Sequence, residues 1–284
     1  MPRHAGLPAL TTIHTPVGEI AIRLSGPADA PPLILLHGWS QSSLAFMHQL
    51  TGEMATVRRL IVPDLPGHGA SPPPQDPAKA GDGTFWASFA AELVMALALD
   101  RPAVLGWSMG GWILGDALAG HGAGLFGAMM TVGTVARMGT AADPAMMEKR
   151  KADIRAEGMF DDDPAAQIAA AVAFARAMTA SPLSKHDLAY LTAQMLPPSP
   201  ALRRAARLRN ADWRDAFARH RSAGLPALVI QGGAERVCFE PQARETAEAL
   251  GAEIVTMPGT GHMPFWEQPE TFDHTVLTFL GRSG

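Results

Sequence analysis

Ala103-Val104-Leu105-Gly106-Trp107-Ser108-Met109-Gly110-Gly111 is the stretch on which the reading of the fold depends. Its first three residues predict a short apolar strand, and a helix is expected from near Gly110 to about Ala119. The serine between them would sit on a tight strand-to-helix turn, where side chains at the flanking positions meet neighbouring backbone; glycine removes that clash. Such a turn lifts the hydroxyl above the sheet edge, as a nucleophile requires. A glycine-rich helix start without chemistry is the plain alternative. The strand before and the helix after favour the nucleophile.

Outward from this turn, further apolar runs predict strands. A hairpin is expected from Leu10–Ile13 and Ile20–Leu24 around Thr15-Pro16-Val17-Gly18. Leu33-Ile34-Leu35-Leu36 and Arg59-Leu60-Ile61-Val62-Pro63 are near-continuous runs of the kind buried on both faces of a parallel sheet. Gly127–Gly133, Ala227–Gln231 and Ala252–Met257 complete the set. Helical spacing over Phe85–Leu99, Pro241–Leu250 and Pro269–Leu280 alternates with them. The fold class is therefore α/β, with a mostly parallel central sheet and helices on both faces. From Ala136 to about Arg221 the chain is rich in Ala, Arg and Met and has no β-branched runs, with prolines at 144, 164, 182 and 197–198 read as helix stops. This block falls between two strands. The expected organisation is a core of residues 1–135 and 222–284 with a helical cap, 136–221, inserted.

A serine hydroxyl needs an imidazole base, which an acid orients. In sheets carrying such a serine turn the acid and then the histidine follow it in sequence, each just past a strand. Of ten histidines, only His262 and His274 follow the last strands. His262 lies in a loop, Gly261-His262-Met263-Pro264, whereas His274 falls inside the C-terminal helix and reads as a surface residue. The loop after Ala227–Gln231 offers one acid, Glu235, whose plain alternative is pairing with Arg236 or solvent. Glu240 abuts the next helix, and no carboxylate follows Gly127–Gly133 directly. The backbone N–H groups of Trp39 and Met109 are placed to hold a developing oxyanion. His37 reads as a loop brace rather than a base.

Together, His37-Gly38-Trp39, Asp64-Leu65-Pro66-Gly67-His68-Gly69-Ala70-Ser71, Leu105-Gly106-Trp107-Ser108-Met109-Gly110-Gly111 and Gly261-His262 resemble the α/β-hydrolase superfamily over nearly the whole chain. Within it, the tryptophan after His-Gly and the Leu-Gly-Trp-Ser-Met-Gly-Gly turn look most like the pimeloyl-acyl-carrier-protein methyl ester esterases of biotin synthesis. Glu235 departs from that family, which has aspartate there. The resemblance implies a serine esterase with a Ser108-His262-Glu235 triad, a small-molecule or carrier-bound acyl ester as substrate, and an acyl carrier protein at the cap as partner. Phe174 and Met178, four apart on an expected cap helix, are candidates for contact with the acyl chain beside Trp39, or for cap–core packing. A carbon–carbon bond hydrolase, a lactonase and an acyltransferase are rivals with the same triad. A ligand-binding protein without turnover is the rival of a different class.

Composition bounds the rest. The 284 residues are 47% hydrophobic and 18% charged, enough to bury a large core. A net charge of −4 gives no basic field for nucleic acid. The average hides a contrast: residues 136–220 hold 13 Lys or Arg against 10 Asp or Glu, and the remainder 10 against 17. Lys149-Arg150-Lys151 with Arg155, and Arg203-Arg204 with Arg207, cluster on expected helical faces, as solvated faces or as a surface for an acidic partner. The single Cys238 excludes an internal disulfide framework and any multi-thiolate zinc site, and reads as a packed thiol. No glycine-rich loop with Lys-Ser/Thr and no helical histidine pair is present, so neither a nucleotide cofactor nor a metal is expected. Ala117–Ala136 lacks Asp, Glu, Lys and Arg, but its glycines suggest a helix end, a turn and a strand rather than a membrane span. No signal-like apolar run opens the chain. A cytoplasmic location is the expectation.

Overall fold

The apolar runs of the sequence become the strands of one sheet. In the computed structural model, which describes residues 6–142, 144–145 and 156–282, an N-terminal hairpin pairs β1 (Leu10–Thr15) with β2 (Gly18–Ser25). Then follow β3 (Pro32–Leu36), β4 (Arg59–Pro63), β5 (Ala103–Trp107) and β6 (Ala128–Val132). A two-residue ribbon joins β7 (Arg137–Met138) to β8 (Ala211–Asp212), and β9 (Ala227–Gly232) and β10 (Glu253–Met257) return to the main sheet.

Among the described residues the main sheet has eight strands in the order β1-β2-β4-β3-β5-β6-β9-β10. The hairpin joins β4 antiparallel, and from β4 to β10 every pairing is parallel. Parallel strands need crossover helices, which bury both faces. Leu33, Ile34, Leu35 and Leu36 are accordingly at most 1% exposed. At ~1.5–3 kcal/mol for each large aliphatic buried, such strands drive the fold. The run Ala117–Ala136 resolves into the end of helix Met109–His121, a turn at Gly122 and β6. Among the described residues no helix is long and apolar enough to cross a membrane.

Between β6 and β9 the chain leaves the sheet. The described part of the insertion holds helices Pro164–Ala177, Lys185–Gln194 and Pro200–Arg207. Pro164 does not end a helix but opens one, as does Pro200, because the first helical position has no use for an N–H. Asp163, Ser184 and Ser199 cap the three N-termini by accepting from backbone N–H groups. The ribbon β7–β8 ties the two ends of the insertion together. Helix Arg214–Ser222 follows β8 and lies on the core side, against Met109–His121 and Glu240–Leu250.

Candidate active site

Ser108 directly follows β5 and caps helix Met109–His121 with φ +51° and ψ −112°. A non-glycine residue there is strained by ~1–3 kcal/mol and persists only where its surroundings fix it. They do so from both sides: Ser108 N–H donates to Val132 O at 2.8 Å, and Ser108 O accepts from Gly111 N–H at 2.9 Å and from Thr134 Oγ1 at 3.1 Å. The flanking glycines are obligatory. A Cβ on Gly106 would lie 2.5 Å from the backbone of Gly110 and Gly111, and one on Gly110 would lie 2.3 Å from Leu36 O.

The loops beyond β9 and β10 meet beside this turn. His262 Nδ1 lies 2.8 Å from Glu235 Oε2, and the two side chains are 1% and 3% exposed. A carboxylate opposite Nδ1 puts the proton on that nitrogen and leaves Nε2 its lone pair. The other oxygen, Glu235 Oε1, accepts from Val237 N–H at 2.7 Å. Both oxygens are thus directed. Arg236 does not pair with Glu235. Its Nη2 donates to Arg176 O at 3.0 Å and to Thr179 O at 2.8 Å, both in the cap.

Glu240 is an exposed partner of Arg244 on its own helix, and His274 is exposed on helix Pro269–Arg282. His37 braces a loop: Leu65 N–H donates to its Nε2 at 3.0 Å, and Nδ1 lies 2.8 Å from Gly38 O. Burial lowers its pKa to about 4, so the ring is neutral at ordinary pH.

Trp39 follows β3 and Met109 opens the helix, so their backbone N–H groups stand at the same sheet edge as Ser108. The N–H of a first helical residue has no carbonyl one turn earlier to pair with. The Trp39 indole reaches up instead, donating Nε1–H to Arg203 O at 3.0 Å, with its ring 5.6 Å from Phe174 and 5.9 Å from Phe160. Phe174 therefore rests on Trp39, and Met178 abuts the loop of His262, where its carbonyl oxygen lies 3.0 Å from a Cβ built on Gly261. Both are buried between cap and core.

The basic cap clusters separate. Arg203 is fully buried, with Nη1 donating to Met159 O (3.0 Å) and Gln167 Oε1 (2.9 Å) and Nη2 to Met195 O (2.6 Å) and Leu196 O (3.0 Å). It knits the cap and is unavailable to a partner, which corrects its place in a surface cluster. Arg204 is exposed over the Phe160 ring, and Arg207 is half-buried. Lys149, Arg150, Lys151 and Arg155 lie outside the described residues. Among the described residues no three His, Cys, Asp or Glu side chains gather as a metal site.

Three residues make contacts at the site that no motif announces. Gly133 directly follows β6 at φ +53°, where a Cβ would lie 2.7 Å from His262 Nδ1 and 3.1 Å from Glu235 Oε2. Trp107 donates its indole N–H to His262 O, and Glu267 accepts from Gly261 N–H. A glycine directly past a parallel strand was the one signal available, for Gly133.

Residues 33–274 match the model of the family described as "Alpha/beta hydrolase family". The pimeloyl-[acyl-carrier protein] methyl ester esterase of Yersinia enterocolitica is 28% identical over 263 residues, 88% of this chain and 93% of that protein. The like-named esterase of Aeromonas hydrophila is 33% identical over 93 residues, 33% of this chain and 34% of that one. Among solved structures, the esterase RhEst1 from Rhodococcus sp. ECU1013 is similar at a TM-score of 0.84 and 28% identity, over 97% of this chain and 99% of that one.

Proposed function

The chain belongs to the alpha/beta hydrolase family, and from that premise we propose that it is a serine carboxylic-ester hydrolase with Ser108 as nucleophile, His262 as base and Glu235 as acid. The observation that carries this is the buried His262–Glu235 hydrogen bond of 2.8 Å, at the sheet edge where strained Ser108 stands. Ser108 Oγ attacks the ester carbonyl while His262 Nε2 takes its proton. Glu235 holds the imidazole tautomer and stabilises the imidazolium. The N–H groups of Trp39 and Met109 receive the oxyanion. His262 then returns the proton to the leaving alcohol, and a water activated by the same nitrogen releases the acid from Ser108.

As substrate we propose the methyl ester of a pimeloyl group carried on acyl carrier protein. The names of the Yersinia and Aeromonas relatives and the coverage of the Yersinia one support this choice, as does the basic excess of the cap, where Arg204 is open to solvent. Phe174 and Met178 would line the acyl path below that docking surface.

The test is turnover of p-nitrophenyl acyl esters and of methyl pimeloyl carrier protein. Ser108→Ala is expected to lose about 10⁶ in turnover, and Glu235→Gln about 10⁴. Wild-type rates in Ser108→Ala would refute the mechanism, and wild-type rates in Glu235→Gln the acid alone. Equal kcat/KM for the free and the carrier-bound methyl ester would remove the carrier from the proposal.

A further inference from the structure

One short stretch of the cap, Arg176 to Ser181, is bonded to both loops that supply the proposed base and acid. On the base side, Glu267 Oε2 accepts from Gly261 N–H at 2.6 Å, one residue before His262. The same carboxylate turns Oε1 to the cap, accepting from Ala180 N–H at 2.9 Å and Ser181 N–H at 3.0 Å. On the acid side, Arg236 follows Glu235 and donates to Arg176 O and Thr179 O. Between the straps the backbones touch: a Cβ on Gly261 would lie 2.8 Å from Ala180 N and 3.0 Å from Met178 O. The helix that ends here, Pro164–Ala177, also carries Phe174 against Trp39.

We propose that Glu267 is a positioning residue that makes the seat of the cap and the alignment of His262 a single arrangement, with Arg236 as its counterpart on the acid loop. The inference rests on the serine-esterase reading. A carboxylate suits the position because it offers two acceptor oxygens to three backbone donors arriving from two directions. A glutamine offers one carbonyl oxygen and turns an NH₂ toward donors. Displacing the segment Arg176–Ser181 would pull on Gly261 and on the loop of Glu235 together. Cap movement would then switch the nucleophile's activation as well as access to it.

The measurement is the rate at which a small fluorophosphonate labels Ser108, alongside kcat and KM for p-nitrophenyl acetate, whose short acyl group makes little use of the cap. Glu267→Ala is expected to slow labelling and kcat together by about 10- to 100-fold, the scale of an ångström-sized misplacement of a reacting group, with KM within about twofold of wild type. Glu267→Gln should fall between, and Arg236→Ala should lose labelling rate in the same direction. A role confined to holding the fold would lower thermal stability and leave the labelling rate of the folded fraction unchanged, which overturns the proposal. So does a loss confined to KM. If Glu267→Ala does not fold, wild-type labelling in both Glu267→Gln and Arg236→Ala has the same force. A wild-type protein that takes no label overturns the esterase reading and this inference with it; a labelled wild type with unaltered variants overturns this inference alone.

Discussion

Trp107 donates its indole N–H to the backbone carbonyl of His262 at 2.9 Å, so the residue before the proposed nucleophile holds the loop of the proposed base. The ring is 1% exposed, stands 5.6 Å from the imidazole and meets Phe265 edge-on at 5.0 Å. It also fills the space beside Gly38, where a Cβ would fall 3.1 Å from its ring. One side chain thus touches the loops after β3 and β10 from its place in the serine turn. The loops' spacing is set by a rigid ring rather than by flexible contacts.

Trp107→Phe keeps an aromatic ring but removes the donor. The His262 carbonyl would be left buried and unpaired, at a cost of about 1–3 kcal/mol. Turnover of p-nitrophenyl acetate should fall about tenfold or more as the loop relaxes. Urea unfolding and steady-state kinetics on the same preparation check both parts. Full turnover in a destabilised variant would mean that the bond serves the fold alone.

Gly133→Ala should strike the site harder. Its φ of +53° costs an L-residue ~1–2 kcal/mol, and the new methyl would overlap His262 Nδ1 and crowd Glu235 Oε2. The expected result is a modest loss of stability with a loss of about 100-fold or more in kcat, since the imidazole must shift. A variant as active as wild type would show that the His262–Glu235 pair has room to move.

These positions mark where sequence reading stops. Ser108, Glu235 and His262 can be proposed from the sequence because residue type, chain order and place after an apolar strand all act locally, and the structure brings His262 and Glu235 together. Trp107 and His262 are 155 residues apart, and nothing in either segment announces their bond. Arg203 illustrates a different limit. Adjacent residues on a helix point about 100° apart, so Arg203 enters the cap while Arg204 faces water, although the pair reads as one basic cluster. The sheet is easier, because a run of four buried aliphatics leaves few options. The prolines at 164 and 200 carry a boundary signal without its sign, which the caps Asp163 and Ser199 supply.

Acid should weaken the protein below about pH 6.5. Burial lowers the pKa of His37 to about 4; burial, and then the neighbouring His37, lower that of His68 to about 3, and the rings lie 5.3 Å apart. A folded pKa below the unfolded value of 6.5 means that the unfolded chain binds more protons as pH falls. Stability is therefore present above pH 6.5 and is lost toward pH 4, at up to ~1.4 kcal/mol per pH unit for each ring. Asp273, raised by burial to about 6, runs the other way: its proton stabilises the fold as pH falls through 6. His220, also lowered by burial, adds to the rings, and Asp116, also raised by burial, adds to the carboxyl; three rings against two carboxyls leave the net sign destabilising. Chemical denaturation at pH 7, 6 and 5 measures the slope, and His37→Gln, which retains an acceptor for Leu65 N–H, should flatten it. An unchanged slope in that variant would locate the acid sensitivity elsewhere.

Arg203→Met tests the cap through its buried cation. Burial lowers the guanidinium to about 10, still charged at neutral pH, and it is held by three carbonyls and Gln167. Methionine fills much of the volume but leaves Met159 O, Met195 O and Leu196 O unpaired. At ~1–3 kcal/mol each, the loss should reach about 3 kcal/mol or more. Because Arg203 O also receives the Trp39 indole, the disturbance should extend to the proposed oxyanion loop and lower kcat/KM. Exposed Arg204→Ala serves as the comparison, expected to keep wild-type stability. Limited proteolysis across residues 156–210, with urea unfolding, separates the two. Equal protease resistance in both variants would mean that helix packing, rather than the buried arginine, holds the cap together.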